Sequence, residues 1–197
     1  MNLQSHYLRE FFLILFVLIF IGSCIQSYQP QTEWEEEAFL RSRPDIHPYE
    51  VRNSLQQYQN IPIRWAGIIR ESEFYETDDS YEIVLLLEHR YFDWKVDAMS
   101  SPRMYYPSTR GEGVFQTSWF LTKDADLDYF IERFGAGNLA IVYGVPEEVT
   151  DTVILLRSNY IRVIDASQFQ ADQVNYIPES VRNRMLKPTS SNEQTNN

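Results

Sequence analysis

Residues 61–69 read IPIRWAGII, and a polar turn at residues 76–80, ETDDS, leads into a second apolar stretch at residues 81–87, YEIVLLL. In the first stretch every second residue is branched, aromatic or glycine, and Pro62 stands only at the beginning, which is typical of a strand. The second stretch is rich in branched aliphatic residues and directly follows turn-forming residues, which predicts another strand. Together the two stretches predict an antiparallel hairpin.

Three more strands are predicted downstream, over residues 114–121, 139–143 and 153–164. Between the first and second of these, apolar residues recur at helical spacing up to Gly135 or Gly137, which predicts a short helix. Five strands with one short helix between strands 3 and 4 have the order of an OB-type barrel, which closes on itself and hides its edges. The predicted fold class is therefore mainly β, an OB-like five-stranded small barrel, and an open α+β sheet is the alternative.

The domain is expected to span residues 48–166, with a short N-terminal helical segment ahead of the barrel. Pro48 suits the first turn of a helix, and apolar residues over 49–58 follow its period. Residues 24–47 begin with a Gln-rich stretch and are predicted to be a lipid-anchored tether. Residues 167–197 end in polar residues and are predicted to be a partly disordered tail.

The N-terminus has the layout of a secretory signal. Polar residues 1–10 precede an unbroken apolar run at 11–21, and two small residues then lead to Cys24. A membrane-spanning anchor is the alternative, but a run of this length at ~1.5 Å per residue covers about half of a ~30 Å hydrocarbon core. Residues 1–23 are therefore predicted to be a lipoprotein signal peptide.

The end of this segment, Ile21-Gly22-Ser23-Cys24, resembles the lipobox of bacterial lipoproteins. The resemblance implies that Cys24 is diacylated on its sulfur, becomes the first mature residue and is acylated again on its amine. Several acyl chains anchor a protein permanently. The next residue, Ile25, is not aspartate, which by the same resemblance implies an outer-membrane location with a periplasmic domain. The expected partner is therefore the membrane, which the protein binds through the lipid on Cys24.

Composition narrows the function classes. The chain has 197 residues, 44% of them hydrophobic, and a formal net charge of −11. An acidic chain has little means of neutralising phosphates, so no nucleic-acid partner is expected. Cys24 is the only cysteine, which excludes an intramolecular disulfide and a cysteine-based zinc site.

Neither a metal nor a cofactor is predicted. Asp124-x-Asp126-x-Asp128 begins like a calcium loop, but Tyr129 and Gly135 stand where that loop requires glycine and glutamate. The Gly-x-Gly fragments lack the strand, helix and third glycine of a phosphate cradle. No catalytic residue is assigned.

The connection from 89 to 113 is the candidate binding segment, because long connections in compact domains are often functional. Between residues 90 and 110 it carries four cations against two acidic residues in an otherwise acidic protein. Aromatic rings interleaved with cations suit stacking on sugars or burial against a partner. The alternative is that part of this segment forms a strand extension or folds its aromatic rings onto the barrel. The candidate binding residues are Arg90, Tyr91, Trp94, Arg103, Tyr105, Tyr106 and Arg110.

The stretch from about residue 61 to 164 is similar to the Slp-type, starvation-inducible outer-membrane lipoproteins. Arg64-Trp65-Ala66-Gly67-Ile68-Ile69 resembles the Val-x-Trp-Gly-Gly-x-Ile stretch of that family. Further matching points are Glu82-Ile83-Val84, Gly113-Val114-Phe115, Phe120-Leu121 with Tyr129, Leu139 to Gly144, and Tyr160 with Val163-Ile164. The resemblance implies a lipid-anchored, non-enzymatic envelope protein with an OB-like domain.

Three functions are compared. The first is an interaction or structural module that binds another envelope component through the 89–113 connection. The second is a protein that binds a glycan or a lipid headgroup. The third is an enzyme that uses His89 with a nearby carboxylate, since His47 and His89 are the only histidines beyond the signal segment. The sequence favours the first.

Overall fold

The structure, a computed structural model, describes residues 25–150 and 153–171. The predicted signal peptide, Cys24 and the tail beyond residue 171 lie outside the described residues. In chain order the elements are β1 (Ile25–Ser27), α1 (Glu33–Arg41), α2 (Pro48–Asn53), α3 (Leu55–Tyr58), β2 (Ile63–Glu76), β3 (Ser80–Arg90), β4 (Phe92–Asp97), β5 (Met104–Pro107), β6 (Val114–Thr122), α4 (Leu127–Arg133), β7 (Leu139–Val149) and β8 (Val153–Ile164), with a 3-10 turn at Ala166–Gln168.

The long strands form a closed barrel in the order β2-β3-β6-β8-β7, in which β7 pairs again with β2. All neighbours are antiparallel except β6 and β8, which run parallel. The short helix α4 lies between the third and fourth barrel strands. The predicted mainly β, OB-like five-stranded barrel is therefore confirmed.

Two predicted elements differ in their limits. Strand β2 continues to Glu76, because a bulge between Ile69 and Glu71 shifts the register and the strand goes on pairing with β3. The helix predicted over 49–58 is two short helices, since the backbone turns at Ser54, which caps one and begins the next.

The barrel interior is one apolar core. Side chains that alternate along each barrel strand point inward, and Ile46 and Val51 of the preceding segment pack against them. The largest fully buried members are Trp65, Phe115, Phe134, Ile63, Ile69, Ile83, Leu85, Leu87 and Ile154.

A second apolar core lies outside the barrel. Strands β1, β4 and β5 form a small sheet in the order β1-β4-β5. Residues of this sheet and of α1 pack on outward-facing residues of β2, β7 and β8, among them Ile141 and Tyr143. The alternate residues of β7, Ala140 and Val142, belong to the interior core. Strand β7 is therefore buried on both faces, which explains its continuous apolar sequence.

This second core contradicts the prediction of a flexible tether for the part of 24–47 that the structure describes. Ile25–Ser27 pairs with β4, and α1 packs beside β8. Tyr28 and Ala38 are buried in the second core, so this segment has apolar surface that the barrel covers. After the barrel, Phe169 bridges to Tyr105, so the first part of the predicted tail also contacts the domain.

Within residues 25–150 and 153–171, none of the helices has both the length and the apolar character needed to cross a bilayer.

Candidate functional site

The 89–113 connection is folded over much of its length. It supplies β4 and β5, and its rings pack with Tyr28 of the N-terminal segment. The ring centroids of Phe92 and Trp94 are 4.7 Å apart, and those of Tyr28 and Trp94 are 5.4 Å apart. Tyr91 and Tyr105 are only 3% and 6% exposed. The structure thus matches the alternative in which this segment extends the sheet and packs its rings on the barrel.

Tyr105 is also held by a buried polar cluster. Arg162 donates from Nη2 to the Tyr105 hydroxyl at 2.5 Å and from Nη1 to the Tyr28 hydroxyl at 2.8 Å. Glu35 is fully buried, accepts from the hydroxyls of Tyr28 and Tyr143, and lies 3.4 Å from Arg162 Nη1. A buried arginine needs such a counter-charge and acceptors. Tyr105 is therefore a structural residue that joins the small sheet to the barrel.

The other candidate residues have different environments. Arg103 and Arg110 are exposed, and Tyr106 is half-buried. Arg90 is half-buried, with Nη1 donating to the Thr109 carbonyl at 2.6 Å and Nη2 lying 2.6 Å from Glu88. The predicted set is thus not one continuous surface.

Three members of that set do come together around a pocket of about 190 Å³ at the base of β4. The pocket lies between the 44–47 segment, the β2 strand and the start of β4. It is lined by Pro44, Asp45, His47, Arg64, Trp65, Ala66, His89, Arg90, Tyr91, Phe92 and Trp94. Arg103, Tyr105, Tyr106 and Arg110 do not line it. The lining residues include four aromatic residues, two histidines, two arginines and one carboxylate, Asp45.

Arg64 is the first polar feature of this pocket. Its guanidinium carbon lies 3.9 Å from the ring centroid of Phe39 and 4.6 Å from that of Trp94. Nη1 donates to the carbonyls of Phe39 at 2.6 Å and Ser42 at 3.0 Å. Nε is buried and has no hydrogen-bond partner among the described residues. Burial lowers the pKa of Arg64 from its usual value, an effect that nearby acidic groups only partly oppose.

His89 is the second polar residue of this pocket. Its Nδ1 accepts from the backbone N–H of Glu112 at 3.1 Å, so in the neutral ring Nε2 carries the proton. Burial, with nearby positive groups, lowers the pKa of His89 to about 3. In the part of the chain that the structure describes, no hydrogen bond to Nε2 is found. The ring packs edge-on against Tyr91 and Trp65, with centroids 5.3 and 5.8 Å away.

Glu112 ties these residues to the chain that follows β5. Its side chain accepts from the Tyr91 hydroxyl at 2.7 Å and from the backbone N–H of Tyr49 at 2.7 Å. Its own N–H orients His89, as described above. His47 also packs edge-on against Tyr91, with centroids 5.7 Å apart. The Tyr91 ring thus contacts two histidines that are 42 positions apart in sequence.

The pocket offers hydrogen-bond donors among aromatic rings. Arg64 and His89 both line it, and Arg64 Nε is a buried donor without a partner among the described residues. A histidine whose pKa is about 3 and whose Nδ1 lone pair is already engaged is a poor general base near neutral pH. Across the described ranges, no three His, Cys, Asp or Glu side chains cluster closely enough to hold a metal ion.

Sequence reasoning missed Arg64, Trp65 and His47 as pocket residues. Arg64 and Trp65 are part of a regular strand pattern, which gives no sign that their surroundings are concave. The only local signal is that Arg64 is a lone cation within an apolar strand sequence.

Comparison of the chain with family models, with curated proteins and with solved structures finds no match in any of the three. The function is therefore inferred from the chemistry of the pocket and from the sequence.

Proposed function

We propose that this protein is a lipid-anchored bacterial envelope protein, similar to Slp-type lipoproteins, whose OB-like domain is a non-enzymatic binding module. In this proposal Cys24 carries the lipid, the anchor is in the outer membrane and the domain is periplasmic. The module holds a second envelope component at the pocket lined by Arg90, Tyr91 and Trp94. The lipobox-like quartet supports the anchor, and the pocket supports the binding role.

The observation that carries the binding role is one buried donor without a partner among the described residues. A buried donor that lacks an acceptor costs about 1–3 kcal/mol, and an acceptor on a ligand offsets that cost. Arg64 Nε is such a donor, and Arg64 lines the pocket together with His89. A partner that places a carbonyl, carboxylate or hydroxyl oxygen there would satisfy it.

A glycan or a lipid headgroup is the second candidate ligand. The walls formed by Trp65, Tyr91 and Trp94 favour it, because aromatic faces pack well on sugar rings while a few donors set the orientation. The small volume of the pocket admits one sugar unit or one acidic group rather than a whole chain.

Affinity purification of the full-length protein from detergent-solubilised envelopes tests the main proposal. Arg64→Lys keeps the positive charge but removes the Nε donor, whereas Arg103→Lys makes the same change outside the pocket. We expect a stoichiometric protein partner with the wild type and with Arg103→Lys, and loss of that partner with Arg64→Lys. Thermal unfolding of both variants is the control for folding.

Equal recovery of a partner by both variants would place the interface elsewhere. A protein that is purified alone would instead favour the second candidate. Titration with peptidoglycan and lipopolysaccharide fragments then decides it, since an absence of saturable binding removes that candidate.

A further inference from the structure

At one end of the small sheet, Ile25 lies beside an exposed turn. Ile25 pairs with Asp97 at the end of β4, and Asp97 pairs with Met104 at the beginning of β5. Residues 98–103 form the turn that connects β4 to β5 at that same end of the sheet. Cys24 is bonded directly to Ile25, and consecutive Cα atoms are about 3.8 Å apart. Whatever is attached to Cys24 therefore begins close to the 98–103 turn.

The residues that follow Cys24 are held by the fold. Ile25 pairs with Asp97 of β4, and the N–H of Tyr28 donates to the Trp94 carbonyl at 2.7 Å. The Tyr28 side chain is 4% exposed and accepts from buried Arg162. A flexible linker would let a domain move freely some distance from its anchor. Here a lipid on Cys24 would hold this end of the small sheet directly at the bilayer.

The 98–103 turn has the chemistry of a lipid contact. Met99 is 75% exposed, although it is a large apolar side chain. Its backbone N–H donates to Asp97 Oδ1 at 2.9 Å, which orders the turn and presents the side chain outward. Pro102 and Arg103 are also exposed. A cation near a membrane is attracted to anionic headgroups, and a flexible apolar side chain enters the acyl boundary.

We propose that the 98–103 turn rests on the lipid surface, with Met99 inserted among the lipids and Arg103 at the headgroups. This inference rests on the lipidation of Cys24 proposed above and adds a second, non-covalent contact. It also orients the domain. The turn follows the Asp97 end of β4 and the pocket includes Phe92 at its other end, so the lipid contact and the pocket lie at opposite ends of this strand.

Site-specific labelling of the full-length acylated protein tests this orientation. The sulfur of Cys24 is blocked when it is acylated, so a cysteine introduced elsewhere is the only reactive thiol. Met99→Cys and Thr109→Cys receive the same environment-sensitive fluorophore. Thr109 is exposed beyond the opposite end of β5 and is the matched control. Both proteins are reconstituted into phosphatidylethanolamine and phosphatidylglycerol vesicles that contain a nitroxide-labelled lipid.

We expect a shift to shorter emission wavelength and strong quenching at position 99, and neither at position 109. With the label moved to Ser101→Cys, the added change Met99→Asp should reduce the quenching, because the apolar side chain itself enters the lipid. Equal behaviour of positions 99 and 109 in vesicle-bound, acylated protein would overturn the proposed contact and leave lipidation intact. A mass spectrum without acyl chains on Cys24 would overturn both.

Discussion

His89 shows how burial decides the chemistry of a single side chain. By sequence it is one of two histidines available for acid-base work, directly after a predicted strand. In the structure it faces Trp65, Tyr91 and Phe115, and its pKa falls from 6.5 to about 3 because the charged form is poorly solvated there. It is neutral at physiological pH and serves as an oriented donor.

This lowered pKa predicts a loss of stability in mild acid. The unfolded chain binds a proton at His89 below pH 6.5 while the folded chain does not, so the contribution is present above that pH and is lost as the pH falls toward 3. Between pH 7 and pH 5 we expect His89 to lower the free energy of unfolding by about 2 kcal/mol. Urea unfolding at both pH values measures it.

The control for this prediction is His89→Gln, whose amide oxygen can still accept the Glu112 N–H. The variant should lose less stability than the wild type over the same pH interval. Identical pH dependence in the two proteins would mean that His89 does not titrate differently in the folded and unfolded states.

Glu35 is a fully buried carboxylate whose removal is expected to destabilise the protein strongly. It accepts from Tyr28, Tyr143 and the backbone of Gln31, and it faces Arg162. Glu35→Ala leaves a buried guanidinium without its counter-charge, which costs about 3–5 kcal/mol. Glu36→Ala, an exposed change in the same helical turn, should stay within about 0.5 kcal/mol of the wild type.

Denaturant unfolding of these two variants measures the difference. A similar free energy of unfolding for both would show that Arg162 finds other acceptors or becomes hydrated. In that case the cluster would not hold α1 to the barrel.

At the scale of elements, the sequence predicts the barrel strands well because each is an alternating or continuous apolar run with turn residues near its ends. The prediction for β2 stops at Ile69 because the bulge at Arg70 reverses the alternation, so that Phe74 faces inward opposite Ile83. Strand β4, FDWKVD, does alternate, with Phe92, Trp94 and Val96 in the second core, but it is short and Trp94 has a positive φ of 44°. Strand β5, MYYP, has no alternation. The sequence prediction therefore leaves both strands within the 89–113 connection.

Gly111, which links the small sheet to β6, is expected to be intolerant of a side chain. A Cβ at this position would lie 1.6 Å from the carbonyl oxygen of His89, a backbone atom that cannot move aside cheaply. Gly111→Ala should therefore destabilise the protein by about 2–3 kcal/mol. Gly137→Ala adds a methyl group in open space and should cost about 1–2 kcal/mol, because φ is +93° there.

Thermal unfolding with both variants distinguishes a steric effect from a conformational one. Replacing Gly137 with asparagine, which tolerates positive φ, should recover part of the loss. Asparagine at position 111 should not, since the clash remains. Equal losses for the two alanine variants would contradict the steric argument.

At the scale of the whole molecule, the domain has two cores that share β7. The sequence places the beginning of the domain at residue 48, yet Tyr28 and α1 pack on the outer face of β7 and β8. Removing them would expose Ile141 and Tyr143 and would take Glu35 from Arg162. The described segment before residue 48 is thus part of the fold.

Truncation tests this organisation directly. A chain beginning at residue 25 should unfold cooperatively. One beginning at residue 48 should lose more than about 3 kcal/mol, since Arg162 is left without its counter-charge. It should also bind a dye for apolar surfaces. Calorimetry measures the loss of stability, and dye fluorescence measures the exposed apolar surface. Equal unfolding midpoints for the two chains would mean that residues 25–47 are a tether and not part of the fold.

The sequence by itself determined the barrel strands and the short helix before β7, because apolar runs and turn residues mark each of them. The parallel pairing of β6 with β8 follows only from the tertiary structure. The sequence also carries the lipobox-like motif, which lies outside the described residues. Only the tertiary structure decided the second core and the pocket. Glu35 meets Arg162 across 127 positions, and His47 shares a pocket with His89. A period shows which face of a strand is apolar, but not which distant segment covers it.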